Sequence, residues 1–278
     1  MTSPVTSTDP NSAIQPVLLR ERRDSIELLT LNRSRSRNSL SEETMLNIRQ
    51  ALEEIAGDRS VRAVVLSASG PVFCAGHDLK ELTAHRQDVD GGAEYFKKIM
   101  TLCSGMMQSI VNLPVPVIAA VQGIATAAGC QLVASCDLAI SSTTAKFATP
   151  GVDIGLFCST PMVALSRNVS SKHAMEMLLL GELMTAEDAC RIGLVNRIVE
   201  AGTELDEALK LAGKIAKKSP HAVTTGKQAF YKQKEMDLAS AYEFTTGIMV
   251  ENLLAADAQE GICAFLEKRD PQWGKSDS

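Results

Sequence analysis

The sequence predicts an α/β fold with a largely buried sheet and a helical C-terminal region. Two observations carry this reading. Short apolar runs alternate with amphipathic helical stretches up to about Ser159, and helical periodicity dominates beyond it. With 278 residues, 45% of them hydrophobic, the chain can bury a sizeable core. The expected organisation is a disordered leader over residues 1–16, an α/β core over 17–200 and a helical region over 201–278.

The first strand is expected at Ile26–Leu31, ending in the basic loop Asn32–Asn38. Ser41 should cap a helix with Glu42 and Glu43 in its first turn, where they suit the helix dipole. Met45, Ile48, Leu52 and Ile55 mark its buried face, and Gly57 its end. Ala63–Leu66 reads as a buried strand, Gly70–Gly76 as a turn and Asp78–Leu82 as helical. From Ala93 to Asn112 an apolar stripe that includes Ile99, Cys103 and Met107 marks another helix, broken by Pro114 and Pro116. A strand at Val117–Val121 turns at Gly123 into a small-residue helix, Ala125–Ser135, and a strand follows at Asp137–Ile140. Helices are expected at Lys172–Leu180, Thr185–Ile192, Glu204–Lys218, His221–Tyr231 and Ala239–Ala256, with a lone late strand at Leu194–Val199.

Composition excludes several functions. Aromatics are 4% of the chain, too few for a nucleic-acid or carbohydrate stacking platform. A net charge of -5 argues against duplex binding. The most apolar stretch, Val115–Ile140, is interrupted by Gln122, Gly123, Gln131 and Asp137, so no membrane helix of about 20 apolar residues is expected. The seven cysteines have no Cys-x-x-Cys spacing and read as small buried hydrophobes in a reducing compartment, and no metal site is expected. The polar N-terminus lacks a signal- or transit-peptide pattern. The expected compartment is therefore the cytoplasm, or the mitochondrial matrix if this is a mature eukaryotic chain.

There is no dinucleotide fingerprint, P-loop or G-x-S-x-G elbow. Two glycine-containing segments remain, Phe73–Leu82 and Val121–Leu132. Each leaves a strand, passes through small residues and enters a helix, whose first N–H groups lack intrahelical acceptors. Two such turns side by side can aim two N–H donors at one oxygen; either alone also reads as a tight connection.

Together these segments resemble the crotonase, or enoyl-CoA hydratase/isomerase, superfamily. Phe73–Leu82 follows its pattern F-x-A-G-x-D-x-x-E-[LM]. Gly123, Ala125, Gly129, Leu132, Ala134, Cys136 and Asp137 keep the frame of its second motif. Phe147-Ala148-Thr149-Pro150 with Ile154-Gly155-Leu156, and Phe265–Arg269, are further matches, and the resemblance spans about residues 17–273. It implies a spiral of β-β-α turns, with C-terminal helices that build a homotrimer or a hexamer made of two trimers. It implies an acyl-CoA or enoyl-CoA substrate, with coenzyme A as part of that substrate and no tightly bound cofactor. The amides of His77 and Ala128 would form the oxyanion hole, and CoA would run past Asn32, Arg33, Ala75, Asp78 and Leu79. Lys80, Phe265 and Lys268 are further CoA candidates, although both lysines also read as solvated.

The departures from the family matter most. The two glutamates that hold and activate water in the family's hydratases fall at Gln131 and Gly151, neither of which is competent in acid–base chemistry. Ser159 stands where dienoyl-CoA isomerases place a second acid. Strand alternation from Gly151 would bring Asp153 to the same side as a candidate base, although it also reads as an exposed or capping aspartate. The His77 imidazole and the Cys158 thiol are weaker candidates, and Asp78 is expected to anchor its loop. The expectation is a CoA-thioester enzyme, hydratase/isomerase-like, that stabilises a thioester enolate, with poor hydratase activity that Gln131→Glu with Gly151→Glu should raise. The alternatives are a non-catalytic acyl-CoA-binding protein and a scaffold subunit.

Overall fold

The computed structural model describes residues 15–274. Of the expected leader, residues 1–14 lie outside the described residues, and Gln15 and Pro16 are exposed and irregular. Two strands open the fold, β1 (Leu18–Arg23) and β2 (Ile26–Leu31), followed by α1 (Glu42–Gly57). Three β-β-α turns come next. They are β3 (Ala63–Ala68), β4 (Val72–Cys74), α2 (Leu79–Ala84) and α3 (Ala93–Asn112); then β5 (Val117–Val121), β6 (Ile124–Thr126) and α4 (Ala128–Ser135); then β7 (Leu138–Ser142), β8 (Lys146–Ala148), a 3-10 turn (Pro150–Ile154) and α5 (Pro161–Leu165). The rest is α6 (Ser171–Leu180), β9 (Met184–Thr185), α7 (Ala186–Arg191), β10 (Arg197–Val199), α8 (Glu204–Ala216), α9 (Pro220–Gln233), α10 (Leu238–Leu254) and α11 (Ala256–Glu267).

In each β-β-α turn the first strand joins one sheet and the second joins another. The larger sheet has the order β1-β2-β3-β5-β7-β10, parallel except for the β1–β2 pair. The smaller has the order β4-β6-β8-β9, with only β9 antiparallel. This is the expected spiral. Both faces of the larger sheet are covered, so its strands read as continuous apolar runs. Val64, Leu66, Val117 and Ala119 face the main core with α1 and α3. Val65, Ile118, Ala120 and Ile140 face a second cluster closed by Ala208 and Ala212 of α8. The boundary placed at residue 200 falls just before α8, which lies across the back of the sheet.

Several elements differ from expectation. β1 was not anticipated because its residues are exposed after Leu18 and charged after Leu19, as an edge strand allows. β4, β6 and β8 span three residues each, too few for a period to show. The helix expected from Ala125 starts at Ala128, because Ala127, at φ 51° and ψ −120°, separates β6 from α4. The long helix expected over Ala239–Ala256 ends at Leu254, and extended backbone at Ala255 starts α11 in a new direction.

The smaller sheet depends on close backbone contact. A Cβ on Gly123 would lie 2.0 Å from the Pro71 carbonyl oxygen, and one on Gly129 would lie 2.1 Å from that of Cys74. Neither neighbour can yield without moving the strand. Gly129→Ala should therefore cost about 3 kcal/mol or more. Gly226→Ala on α9, where a new Cβ meets nothing within 4 Å, should be neutral or stabilise by up to about 1 kcal/mol. Denaturant unfolding of the two variants measures the contrast.

Candidate active site

The two suspected turns leave neighbouring parallel strands: Cys74 of β4 is paired with Ala125 of β6. After β4 the chain passes Gly76 at φ 86° and pairs again through a bridge between His77 and Leu40. In that bridge the Leu40 N–H donates to Gly76 O at 2.8 Å and the Asp78 N–H donates to Leu40 O at 3.2 Å. Along extended backbone successive N–H groups point to opposite sides, so the His77 N–H points away from Leu40. Ala128 is the first residue of α4, and its N–H has no intrahelical acceptor. Among the described residues neither amide donates to a turn, loop or side-chain acceptor. A Cβ built on Gly76 would lie 3.2 Å from the Ala128 nitrogen, so the two turns are in contact. The Ala127 torsions that aim α4 at this point suit glycine and cost about 1–3 kcal/mol on alanine.

Burial disfavours the charged form of the His77 ring and pushes its pKa below the ordinary histidine value, against the Leu40 backbone, which favours the charged form. Asp78 anchors its loop as expected, capping α2 through the Lys80 N–H at 3.1 Å and accepting from Ser39 Oγ at 3.1 Å and Arg33 at 3.2 Å. Burial raises the Asp78 carboxyl, but these donors hold it below the usual carboxylate range. The Arg33 guanidinium is thus turned onto Asp78 and the Ser39 carbonyl. Asn32 Nδ2 donates to Pro16 O and the Ala75 N–H to Arg37 O, so this loop and the first turn are stitched together. Leu79 and Lys80 are exposed on α2. Phe265 and Lys268 are not brought to these residues: both are exposed on or just after α11, which packs on α9 and α10.

Gln131 lies one turn into α4 from Ala128 and is only 4% exposed. Its Oε1 has no protein partner. It forms part of the floor of a cleft of about 1080 Å³ between α3, α4, α5 and α9. Gly151 is buried in the 3-10 turn, and its carbonyl accepts from the Leu156 N–H at 2.8 Å. A side chain there has no room: its Cβ would lie 2.7 Å from the Leu156 carbonyl oxygen and 2.9 Å from Cys158 Sγ. This overturns the expected gain from Gly151→Glu, since a glutamate would force the loop open before it could reach a ligand. The alternation argument for Asp153 also fails, because residues 150–154 form a 3-10 turn and not a strand. Gly151 faces inward, whereas Asp153 is exposed and its carboxylate lies beside Gly181. Ser159 is exposed, its hydroxyl donating to Phe157 O. The Cys158 thiol is pushed up by burial, and the neighbouring Cys130 thiol is pushed up to about 12.

Two features were missed. Asn38 is buried, with its Nδ2 donating to Ser69 O and Val72 O and its Oδ1 accepting from the Arg33 N–H. It holds the basic loop against the start of β4; an asparagine next to a run of basic residues, tolerant of its φ of 50°, was the available signal. The second is a buried cluster in which Lys227 Nζ donates to Asp137 at 2.7 Å and to the carbonyls of Ile110 and Val115, while Tyr231 donates to Asp137 at 3.0 Å. Lys227 and Tyr231 share one face of α9 at i, i+4, a spacing that pointed to a common partner. Among the described residues no group of three or more His, Cys, Asp or Glu side chains is placed to hold a metal ion.

This chain belongs to the crotonase superfamily: the family model for enoyl-CoA hydratase/isomerase matches residues 21–276. It is similar to enoyl-CoA hydratase domain-containing protein 3, mitochondrial, of Rattus norvegicus, at 46% identity over 250 residues, 90% of this chain and 82% of that protein. The crystal structure of human enoyl Coenzyme A hydratase domain-containing protein 3 superposes with a TM-score of 0.88 at 45% identity, covering 93% of this chain and all of that one (100%). An enoyl-CoA hydratase structure from Mycobacterium smegmatis gives a TM-score of 0.89 at 50% identity, covering 93% and 99% of the two chains.

The lowered pKa of His77 sets a pH dependence. The folded pKa of His77 lies below the unfolded value, so the unfolded chain binds the extra proton once the pH drops below about 6.5. Its stabilising effect is complete above that value and is lost as the pH falls. His77→Gln should therefore flatten the decline in Tm between about pH 7 and pH 5, as followed by thermal melts across that range.

Proposed function

We propose that this chain binds a CoA thioester with the thioester oxygen between the amides of His77 and Ala128, and stabilises enolate character there. The observation that carries the reading is the contact of two strand-to-helix turns, each ending in an N–H with no protein acceptor. Such a donor is worth about 3 kcal/mol to a developing oxyanion. CoA would pass Asn32 and Ala75, with Lys80 at the rim. The names of the relatives support an enoyl-CoA as the ligand class, and those of the vertebrate relatives favour a mitochondrial location over the cytoplasm.

Ordinary hydration of a 2-enoyl thioester needs a group that takes a proton from water, a contribution of about a hundred- to ten-thousandfold. Gln131 cannot supply it at neutral pH, and Gly151 has no side chain. Crotonyl-CoA should therefore be hydrated far more slowly than by a hydratase with both glutamates, while still binding. A complex that places the thioester oxygen beyond hydrogen-bond reach of both amides would sink the proposal, and brisk wild-type hydration would show that another group is the base. Tight binding without turnover on a panel of thioesters would favour the second reading, a non-catalytic acyl-CoA-binding protein, which the closed loop at Gly151 supports.

We also propose a homotrimer or a hexamer. No residue of α10 is buried, although Tyr242, Met249 and Leu253 lie along it, and Phe265 and Leu266 of α11 are exposed. An apolar surface of this extent on a lone chain calls for a partner. Sedimentation at micromolar concentration should give a trimer or larger, and a stable monomer would refute it.

A further inference from the structure

We infer that Ala127 is a positioning residue: its methyl group, carried in a backbone conformation that suits glycine, is the spacer between the two turns and sets how the His77 and Ala128 amides approach a thioester oxygen. The inference rests on the oxyanion-hole reading above and deepens it.

The conformation is the first observation. Arg37 and Lys268 also have positive φ, but with ψ of 34° and 41° they lie in the ordinary left-handed region. Ala127, at φ 51° and ψ −120°, does not. Its torsions are those of the first central residue of a type II′ turn, a position that glycine dominates because a Cβ crowds the backbone there. The surroundings hold it in place: its N–H donates to Ala148 O at 2.9 Å, and its carbonyl accepts from the Gln131 N–H at 3.0 Å. Backbone strain of this kind persists only where neighbouring structure over-determines it.

The second observation is what the methyl touches. Gly76 has no side chain, and a Cβ built on it would lie 3.0 Å from the Ala127 Cβ and 3.2 Å from the Ala128 nitrogen. The Ala127 methyl thus fills the space on that side of Gly76, next to the amide that opens α4. Ala127 is only partly buried, at the edge of the main core, so the methyl is not there to fill the interior. A glycine would relax the torsions and leave a gap of one methyl group between the turns. A hydrogen bond weakens steeply as its distance and angle drift, so any shift of the turns across that gap falls on the two donors.

The test is isotope-edited infrared spectroscopy of butyryl-CoA, labelled at the thioester carbonyl, bound to the full chain. It compares the wild type with Ala127→Gly and with Ala127→Ser, which keeps the Cβ. Binding to the wild type should lower the carbonyl stretching frequency, as donation by two amides does. Ala127→Gly should lose about half of that shift or more. It should also bind the ester about tenfold more weakly, the scale of one net hydrogen bond. Its denaturant midpoint should equal or exceed that of the wild type, because glycine relieves the strain. Ala127→Ser should keep the shift. A full shift in Ala127→Gly overturns the inference and leaves the oxyanion-hole reading standing, as does a loss in Ala127→Ser equal to that in Ala127→Gly. A lowered midpoint in Ala127→Gly also overturns it, since the lost shift would then reflect general loosening. A bound ester with no shift in the wild type, or no binding at all, overturns both readings. Should Ala127→Ser not fold, the wild type and Ala127→Gly alone still decide.

Discussion

The close approach of two backbones on the smaller sheet is the constraint on which the rest depends. Gly123 and Gly129 let the second β-β-α turn lie directly against the Pro71 and Cys74 carbonyls, at separations that leave no space for a methyl group. That contact brings the end of β6 alongside the end of β4. It also puts Gly76 against the start of α4. Ala127 sits in a backbone conformation that alanine adopts at a cost, and the packing of α4 holds it there. The local strain and the glycine contacts are thus two aspects of one requirement, the delivery of a helix N-terminus to the end of a neighbouring strand.

Around that point the site is electrically quiet. Burial disfavours the charged form of the His77 ring and of the Cys130 and Cys158 thiols alike. Of the two carboxylates in the first segment, Asp78 is committed to its loop by Ser39, Lys80 and Arg33, and Glu81 accepts from the Glu42 N–H. Gln131 contributes a dipole and no charge. A site built in this way can polarise a carbonyl through fixed N–H groups, but it has little with which to move a proton.

The C-terminal helices are held by a different kind of interaction. Lys227 is buried, which lowers its pKa, and Asp137, at the start of β7, supplies the opposing charge. With Tyr231 on the same carboxylate, α9 is pinned beside the cleft whose floor Gln131 shares. Breaking such a pair is costly because it leaves a buried charge alone. Beyond α9 the chain has few inward contacts, and the apolar residues of α10 and α11 stay on the surface.

Much of this was legible in the residues. The strands of the larger sheet showed as apolar runs because both of their faces are covered, and α1 and α3 showed through their periodicity. The two turns showed because small residues between a strand and a helix have few other uses, and Gln131 and Gly151 stood out as departures within a matched motif. Short or exposed elements were not legible: β4, β6 and β8 are too short to display a period, and β1 is an edge strand whose charged residues face solvent. The role of Asn38 and the Lys227–Asp137–Tyr231 cluster join residues far apart in the chain, which spacing alone cannot connect. What the sequence determined by itself was the order of elements, the family and the absence of a carboxylate at Gln131 and Gly151, because these depend on residue type and local pattern. Only the tertiary structure decided that Gly151 has no room for a side chain, that Asp153 faces outward and that Gln131 keeps an unpaired oxygen, because each depends on which distant backbone or side chain occupies the neighbouring space.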